Sequence, residues 1–148
     1  MATTVQDHSR AGYLYVMRDQ CAFNIIKVGR SVNPINRVSQ LYRTGNPLPF
    51  TLSQLWWTQD MFFAERIAHL RLADHRITPR REFFEIAPQH QCWEWEYKCE
   101  EVTDSFLGTL IELIEQDLCA TGMTFFEADI PMAYAHHQNN FGTLPLWD

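Results

Sequence analysis

Five polar residues interrupt the apolar pattern of the first half of the sequence, and they are the first candidates for chemistry. They are a phenol, three cations and a carboxylate: Tyr15, Lys27, Arg30, Arg37 and Glu65. An arginine is planar and permanently charged, and it can hold two phosphate oxygens at once. A glutamate offers the oxygen ligand that suits a hard cation such as Mg2+. If the fold brings these residues together, they can bind a phosphate and a divalent cation.

Charge is divided unevenly along the chain. The 148 residues carry a net charge of −6, which taken alone argues against a nucleic-acid partner. Through residue 87, however, 11 basic residues, ten of them arginine, are counted against 7 acidic ones, a balance of +4. From residue 88 onward one basic residue is counted against 11 acidic ones, a balance of −10. This asymmetry predicts a polyanion-binding domain over 10–87 and an acidic C-terminal extension over 88–148 that packs on it.

The elements that must position the polar residues follow from the hydrophobic pattern. Segments 12–18 and 24–30 are rich in aromatic and β-branched residues and predict a β-hairpin. Asn33, followed by a proline, predicts the N-cap of a helix that ends before 44–47. A third strand is predicted at 49–57.

A second helix is predicted from Asp60, its N-cap, to about residue 77. Its core-facing stripe is expected at helical spacing, at Phe63, Ile67 and Leu70. Glu65 falls outside that stripe, which favours a functional role over a packing role. The alternating segment 81–86 predicts another strand.

Together these elements predict an α+β fold, a small domain whose three-stranded, mainly antiparallel sheet is flanked by helices. In the acidic extension, 105–118 predicts a helix with Asp104 as its N-cap. The segment 121–148 predicts mostly irregular chain, with a short strand at 123–127. The extension could cover, complete or leave alone a site in the first half.

Export and membrane insertion are not indicated, because no stretch approaches the roughly 20 apolar residues of a spanning helix or resembles a signal peptide. A cytoplasmic location is therefore expected. The four cysteines are widely spaced and are expected to be reduced thiols: Cys21, Cys92, Cys99 and Cys119. Zinc held by Cys92, Cys99 and His90 is the alternative.

The polar residues stand in an order and spacing that resemble the GIY-YIG nuclease superfamily. Tyr15 follows a leucine in the first motif, and the second motif reads KVGRS over 27–31. Arg37 stands eight residues after Gly29, and Glu65 lies inside the second predicted helix. Each motif is short, but their shared order makes the signal specific.

The sequence is most similar to the phage and bacterial branch of that superfamily, in which the second motif reads K-I-G. That branch carries T-G-x-P-x-P-F and R-E-F-F blocks, which occur here at 44–50 and 81–84. The resemblance covers about residues 12–86 and does not extend to the acidic remainder.

The resemblance implies metal-dependent phosphodiester hydrolysis by an endonuclease, with DNA favoured over RNA as the substrate. It implies that Glu65 is the ligand of Mg2+ or Mn2+ and that Arg37 offsets the charge that develops on the phosphate. Tyr15 holds the position that contacts or activates the attacking water. Lys27 stands where the second motif usually has a tyrosine, and the pattern leaves open how Tyr15 and Lys27 divide this work.

Further residues extend the predicted site. His69 lies one helical turn after Glu65 and could hold a water, a phosphate or a proton. The predicted substrate-binding residues are all arginines: Arg30, Arg43, Arg66 and Arg81. Arg81 or Glu82 could replace an asparagine that many members carry late in the domain.

Other interpretations stay open. A protein of this fold that has lost the chemistry could be a phage-type binding or inhibitory protein acting through its acidic part. That part could compete with phosphate for the cationic site, or form a homodimer or partner interface. A nuclease requires that the side chains of Tyr15, Lys27, Arg37 and Glu65 converge on one open cleft.

Overall fold

A computed structural model of the chain describes residues 10–43, 48–77, 82–86 and 96–141. Within these ranges one five-stranded sheet is flanked by α-helices on both faces. The strands are β1 (Gly12–Arg18), β2 (Ile25–Ser31), β3 (Thr51–Thr58), β4 (Phe83–Glu85) and β5 (Phe125–Glu127). The helices are α1 (Pro34–Arg43), α2 (Met61–Arg71), α3 (Glu96–Thr121) and α4 (Ile130–Phe141). The predicted α+β class is confirmed.

The sheet is antiparallel at every described pairing and has the strand order β4-β2-β1-β3-β5. The predicted hairpin forms its centre, with Tyr15 opposite Gly29 and Met17 opposite Lys27. The prediction of three strands was wrong, because β4 and β5 extend the sheet at its two edges. The strand predicted at 81–86 is present as β4, of three residues, and β5 is equally short. The sequence did not indicate that these two segments would pair with β2 and β3 in the same sheet.

The first two helices begin where the sequence predicts. Asn33 Oδ1 accepts a hydrogen bond from the Asn36 backbone N–H at 3.2 Å. Asp60 Oδ1 accepts from the backbone N–H groups of Phe62 and Phe63, each at 3.1 Å. These bonds satisfy N–H groups that have no partner inside the helix, and this is why such residues start helices.

The buried residues of α2 are Met61, Ala64 and Ala68, and not Phe63 and Leu70 as the sequence predicts. Ala64 and Ala68 are fully buried, whereas Phe63 is 36% exposed and Leu70 is 67% exposed. An alanine lets the helix backbone lie close to the sheet, so burial here follows distance to the sheet and not side-chain size. The predicted stripe at Phe63 and Leu70 was therefore wrong, and Ile67 is half-buried at its margin.

Helix α2 also ends earlier than predicted, at Arg71 and not near residue 77. A short 3-10 turn follows at Ala73–His75. The Nδ1–H of His75 donates to the Glu85 carbonyl at 2.9 Å. This bond, and the buried side chain of Leu72, turn the chain toward β4.

Helix α3 completes the core on the α2 face of the sheet. Its buried residues belong to the same cluster as Leu14, Val28 and Trp56: Leu107, Leu110, Ile114 and Leu118. Three of its acidic residues also bind partners in the basic half, in the pairs Asp104 with Arg18, Glu115 with Trp56, and Asp117 with Arg71. Asp104 lies inside α3 and is not its N-cap, as the sequence had indicated. The predicted boundary between 87 and 88 falls outside the described residues and stays a prediction.

The segment 121–148 was predicted to be mostly irregular chain. Helix α4 shows that this prediction was wrong in part. Asp129 Oδ1 accepts from the Met132 backbone N–H at 2.9 Å. Pro131 lies in the first turn, where a missing N–H leaves no helical hydrogen bond unmade. The apolar side of α4 packs with α1 on the opposite face of the sheet, through Ile130, Ala133 and Tyr134. The predicted strand at 123–127 is present as β5.

Two of the four cysteines are described, and both Cys21 and Cys119 are exposed free thiols, as predicted. His90, Cys92 and the side chain of Cys99 lie outside the described residues, and so does the zinc alternative that they would form. Among the helices described, none has the length and apolar character needed to cross a membrane.

The identity of the buried face of α2 can be tested by substitution. Ala68→Leu should lower the free energy of unfolding by about 1–3 kcal/mol, because the added atoms must enter a filled space against the sheet. Leu70→Ala, the reverse change of the same size on the same helix, should alter it by less than about 0.5 kcal/mol because that side chain is exposed. Denaturant unfolding measures both, and the reverse ranking would contradict the observed packing.

Candidate active site

The predicted site residues lie around the second half of β2. Helices α1 and α2 both contact this strand. Tyr15 of β1 lies directly opposite Gly29 of β2. A Cβ atom added at Gly29 would lie 2.5 Å from the Tyr15 hydroxyl oxygen. The phenol therefore crosses the β2 backbone at a point where any side chain would displace it, which explains the glycine of the second motif.

The hydroxyl of Tyr15 is surrounded by charged groups. The residue is 1% exposed, and burial raises the pKa of its phenol above the ordinary value of about 10. A hydrogen bond with Arg37 and the charge of that guanidinium oppose the rise in pKa, whereas the charges of Glu82 and Glu65 add to it. Tyr15 is therefore a protonated hydrogen-bond donor at neutral pH.

Glu65 projects from α2 with 14% of its side chain exposed, and its Oε1 atom lies 2.5 Å from Arg30 Nη1. The Arg30 guanidinium also lies over the Phe62 ring, 4.3 Å from its centroid. Arg30 was predicted to bind substrate, and here it binds the carboxylate that the resemblance assigned to a cation. A cation at Glu65 would bind through Oε2 or displace Arg30.

His69 is held one turn further along α2. Its Nε2 atom lies 2.8 Å from the Val28 carbonyl oxygen, and its ring packs at a tilt against Phe84. Since a carbonyl can only accept, Nε2 donates, and in the neutral ring Nδ1 then carries the lone pair. His69 can therefore exchange a proton or bind a ligand through Nδ1.

Lys27 is buried on the α1 face of the sheet, with 1% of the residue exposed. Its ammonium forms an ion pair with Glu82 and lies 5.4 Å from the centroid of the Phe83 ring. Burial alone would raise the pKa of Glu82, but the bond and charge of Lys27, with the charges of Arg37 and His69, hold that pKa below its ordinary value. Glu82 is therefore ionised at neutral pH.

An open cavity of about 440 Å³ lies beside these groups. Its lining comes from α2, the turn that follows it and the start of β4, and consists of Glu65, Arg66, His69, Leu70, Ala73, Arg76 and Glu82. Two carboxylates, an imidazole and two guanidinium groups therefore share one wall, which can bind both a phosphate and a hard cation. As far as the chain is described, helices α3 and α4 of the C-terminal part contribute no residue to this lining.

Most of the predicted site residues are thus in one place. Glu65, Arg66 and His69 line the cavity, and Arg30 binds Glu65 beside it. Tyr15, Lys27 and Arg37 lie close by, through the bond of Arg37 to Tyr15 and the ion pair of Lys27 with Glu82, but they are not among its lining residues. Of the four residues expected on one open cleft, the structure therefore places Glu65 on its wall. The side chain of Arg43 and all of Arg81, both predicted to bind substrate, lie outside the described residues. Arg71, another arginine of the basic half, binds Asp117 of α3 through two hydrogen bonds of 2.7 and 2.8 Å.

Two charged residues of the cavity, Glu82 and Arg76, were not among the predicted site residues. Glu82 was considered only as a replacement for an asparagine, although it belongs to the R-E-F-F block, which was its signal. Arg76 was one of several arginines with no motif to distinguish it. Both reach the cavity wall through tertiary structure, Glu82 through its bonds to Val28 and Lys27 of β2 and Arg76 through the turn that follows α2.

The donor set fits a hydrated hard cation. Across the described ranges, no three histidine, cysteine or acidic side chains lie close enough together to hold a metal ion by themselves. Mg2+ keeps most of its waters and typically takes only one or two carboxylates from a protein. Glu65 and Glu82 on an open cavity meet that requirement, whereas a structural zinc site would need four protein ligands.

The environment of Tyr15 predicts its titration. Deprotonation of Tyr15 contributes a change in tyrosinate absorbance, identified as the part of the titration that is missing in the Tyr15→Phe variant. This change should have its midpoint above pH 10, because burial disfavours the phenolate. The raised pKa also means that the contribution of Tyr15 to stability is intact below pH 10 and declines as the pH rises further. A midpoint at or below the ordinary value, about 10, would contradict the observed burial.

Comparison with known proteins identifies one family. The T5orf172 domain matches residues 12–104, which begin at the start of β1 and reach into α3. No curated protein and no solved structure matches the chain. The match covers more than half of the sequence, and the chain therefore belongs to the T5orf172 domain family, whose domain is found in phage and bacterial nuclease-like proteins.

Proposed function

We propose that the protein is a metal-dependent endonuclease of the GIY-YIG type, which hydrolyses phosphodiester bonds of DNA in preference to RNA and acts in the cytoplasm. The observation that supports this most strongly is that Arg37 bonds to the Tyr15 hydroxyl while Glu65, whose charge acts on the same hydroxyl, lines the neighbouring open cavity, although the three residues lie on three different elements. Membership in a family of nuclease-like proteins supports the same function.

Arginines provide the phosphate-binding part of the proposed site. Arg37 is half-buried beside the Tyr15 hydroxyl and is steadied by Gln40, whose Oε1 atom lies 3.3 Å from Arg37 Nη1. A guanidinium fixed in this way can bind the scissile phosphate and offset the charge that grows in the transition state. Arg66 and Arg76 are exposed on the cavity wall and would bind neighbouring phosphates.

The remaining side chains act on water and protons. A divalent cation held by Glu65 would supply positive charge to the phosphate and lower the pKa of a bound water. Tyr15 keeps its proton at neutral pH, so it orients the water or a phosphate oxygen by donating a hydrogen bond and does not act as the base. His69, whose ring is fixed by the Val28 carbonyl, exchanges a proton through Nδ1.

Cleavage of plasmid DNA tests the proposal. With Mg2+, the wild-type protein should nick or linearise the plasmid, and Glu65→Ala and Arg37→Ala should each slow cleavage by about 10²–10³-fold. The expected loss follows from removing the cation ligand in one variant and the transition-state cation in the other. Single-stranded DNA and RNA of matched length, assayed in parallel, measure the substrate preference.

Glu112→Ala is the matched control, because Glu112 is an exposed carboxylate on α3 away from the cavity, and its variant should cleave as the wild type does. Unchanged cleavage by both site variants would remove the assignment of the site. A wild-type protein that binds DNA in a salt-dependent manner without cleaving it would favour the binding or inhibitory alternative.

A further inference from the structure

The pair formed by Lys27 and Glu82 has no role in the function proposed above. A buried ammonium needs a counter-charge, because an unpaired charge in a protein interior is strongly unfavourable. Glu82 meets that need, yet 43% of its own side chain is exposed and it lines the same cavity as Glu65 and His69. Neutralising Lys27 does not explain why the partner carboxylate lies at the cavity.

The backbone fixes Glu82 in that position. The Val28 N–H donates to the Glu82 carbonyl oxygen at 3.0 Å, and the Val28 carbonyl accepts from His69 Nε2 at 2.8 Å. One residue of β2 therefore ties both Glu82 and His69 to the sheet beside the cavity. The ion pair with Lys27 uses Glu82 Oε2, so Oε1 is the oxygen with which Glu82 can bind a ligand in the cavity.

The surrounding charges favour the ionised form of Glu82. Lys27, Arg37 and His69 together outweigh the effect of burial and lower its pKa. Glu82 and Glu65 line the same open cavity, and the wall therefore presents two carboxylates. Two carboxylates on one open cavity are the protein contribution that a hydrated Mg2+ or Mn2+ most often receives.

We propose that Glu82 is a second carboxylate ligand of the divalent cation, together with Glu65, and that Lys27 is the positioning residue that holds Glu82 at the cavity. This inference rests on the proposed function and deepens it, since it replaces a site with one carboxylate by a site with two. Lys27 then occupies the second motif as a support for Glu82 and does not contact the substrate.

Binding of Mn2+ to the full-length protein without DNA tests the inference, with free Mn2+ measured by electron paramagnetic resonance. Glu65→Gln and Glu82→Gln should each weaken Mn2+ affinity by about 10–100-fold. Glu85→Gln is the matched control, because Glu85 lies three residues after Glu82 and does not line the cavity. The Mn2+ affinity of this variant should equal that of the wild type. Lys27→Met should weaken affinity while leaving both carboxylates in the chain.

A double variant separates binding from folding. Glu82→Gln leaves Lys27 buried without its counter-charge and could unfold the protein, whereas Lys27→Met with Glu82→Leu removes both charges and is expected to keep the fold. Circular dichroism and the melting temperature verify the fold. The folded double variant should still show the 10–100-fold loss of Mn2+ affinity, because its cavity has one carboxylate fewer.

Wild-type affinity in the double variant, or no Mn2+ binding by the wild-type protein, would overturn the inference. Because the readout requires no substrate, its outcome is distinct from that of the cleavage assay. If cleavage requires Glu65 but the loss of the Glu82 carboxylate leaves the Mn2+ affinity unchanged, this inference alone is refuted. Mn2+ binding that depends on Glu82 in a protein without nuclease activity would refute the proposed function alone.

Discussion

The register of the hairpin formed by β1 and β2 determines the rest of the site. With Tyr15 opposite Gly29, the phenol can cross the strand, and Lys27 lies on the α1 face while Val28 lies in the α2 cluster. A slip of one residue would reverse these faces, because side chains alternate along a strand. Arg37 of α1 therefore bonds to the phenol, while the charge of Glu65, on α2, acts on the same hydroxyl.

The acidic half of the chain is compatible with a site for nucleic acid because none of its described residues lines the cavity and some of its carboxylates are used for docking. Asp104, Glu115 and Asp117 bind partners of the basic half, and the apolar side of α3 completes the core. Such contacts orient the helix, while burial of its leucines and isoleucine provides most of the stabilisation. The net charge of −6 is therefore no measure of the charge at the cavity, where Arg66 and Arg76 lie.

Local signals made the hairpin and the helix starts predictable, since a cap such as Asn33 or Asp60 acts within three residues of itself. The motif order also located most of the site. The buried face of α2 was not predictable in this way, because Ala64 and Ala68 are buried by closeness to the sheet and not by hydrophobicity. Glu82 was missed for a related reason: its partner Lys27 lies 55 residues away in the sequence.

Diffraction from crystals soaked with Mn2+ and a short DNA duplex tests most directly whether the cavity binds a cation and a phosphate together. We predict an anomalous peak at coordination distance from the carboxylates of Glu65 and Glu82, with a backbone phosphate on Arg37. A phosphate bound at another surface, or a cation peak remote from Glu65, would contradict the proposed site.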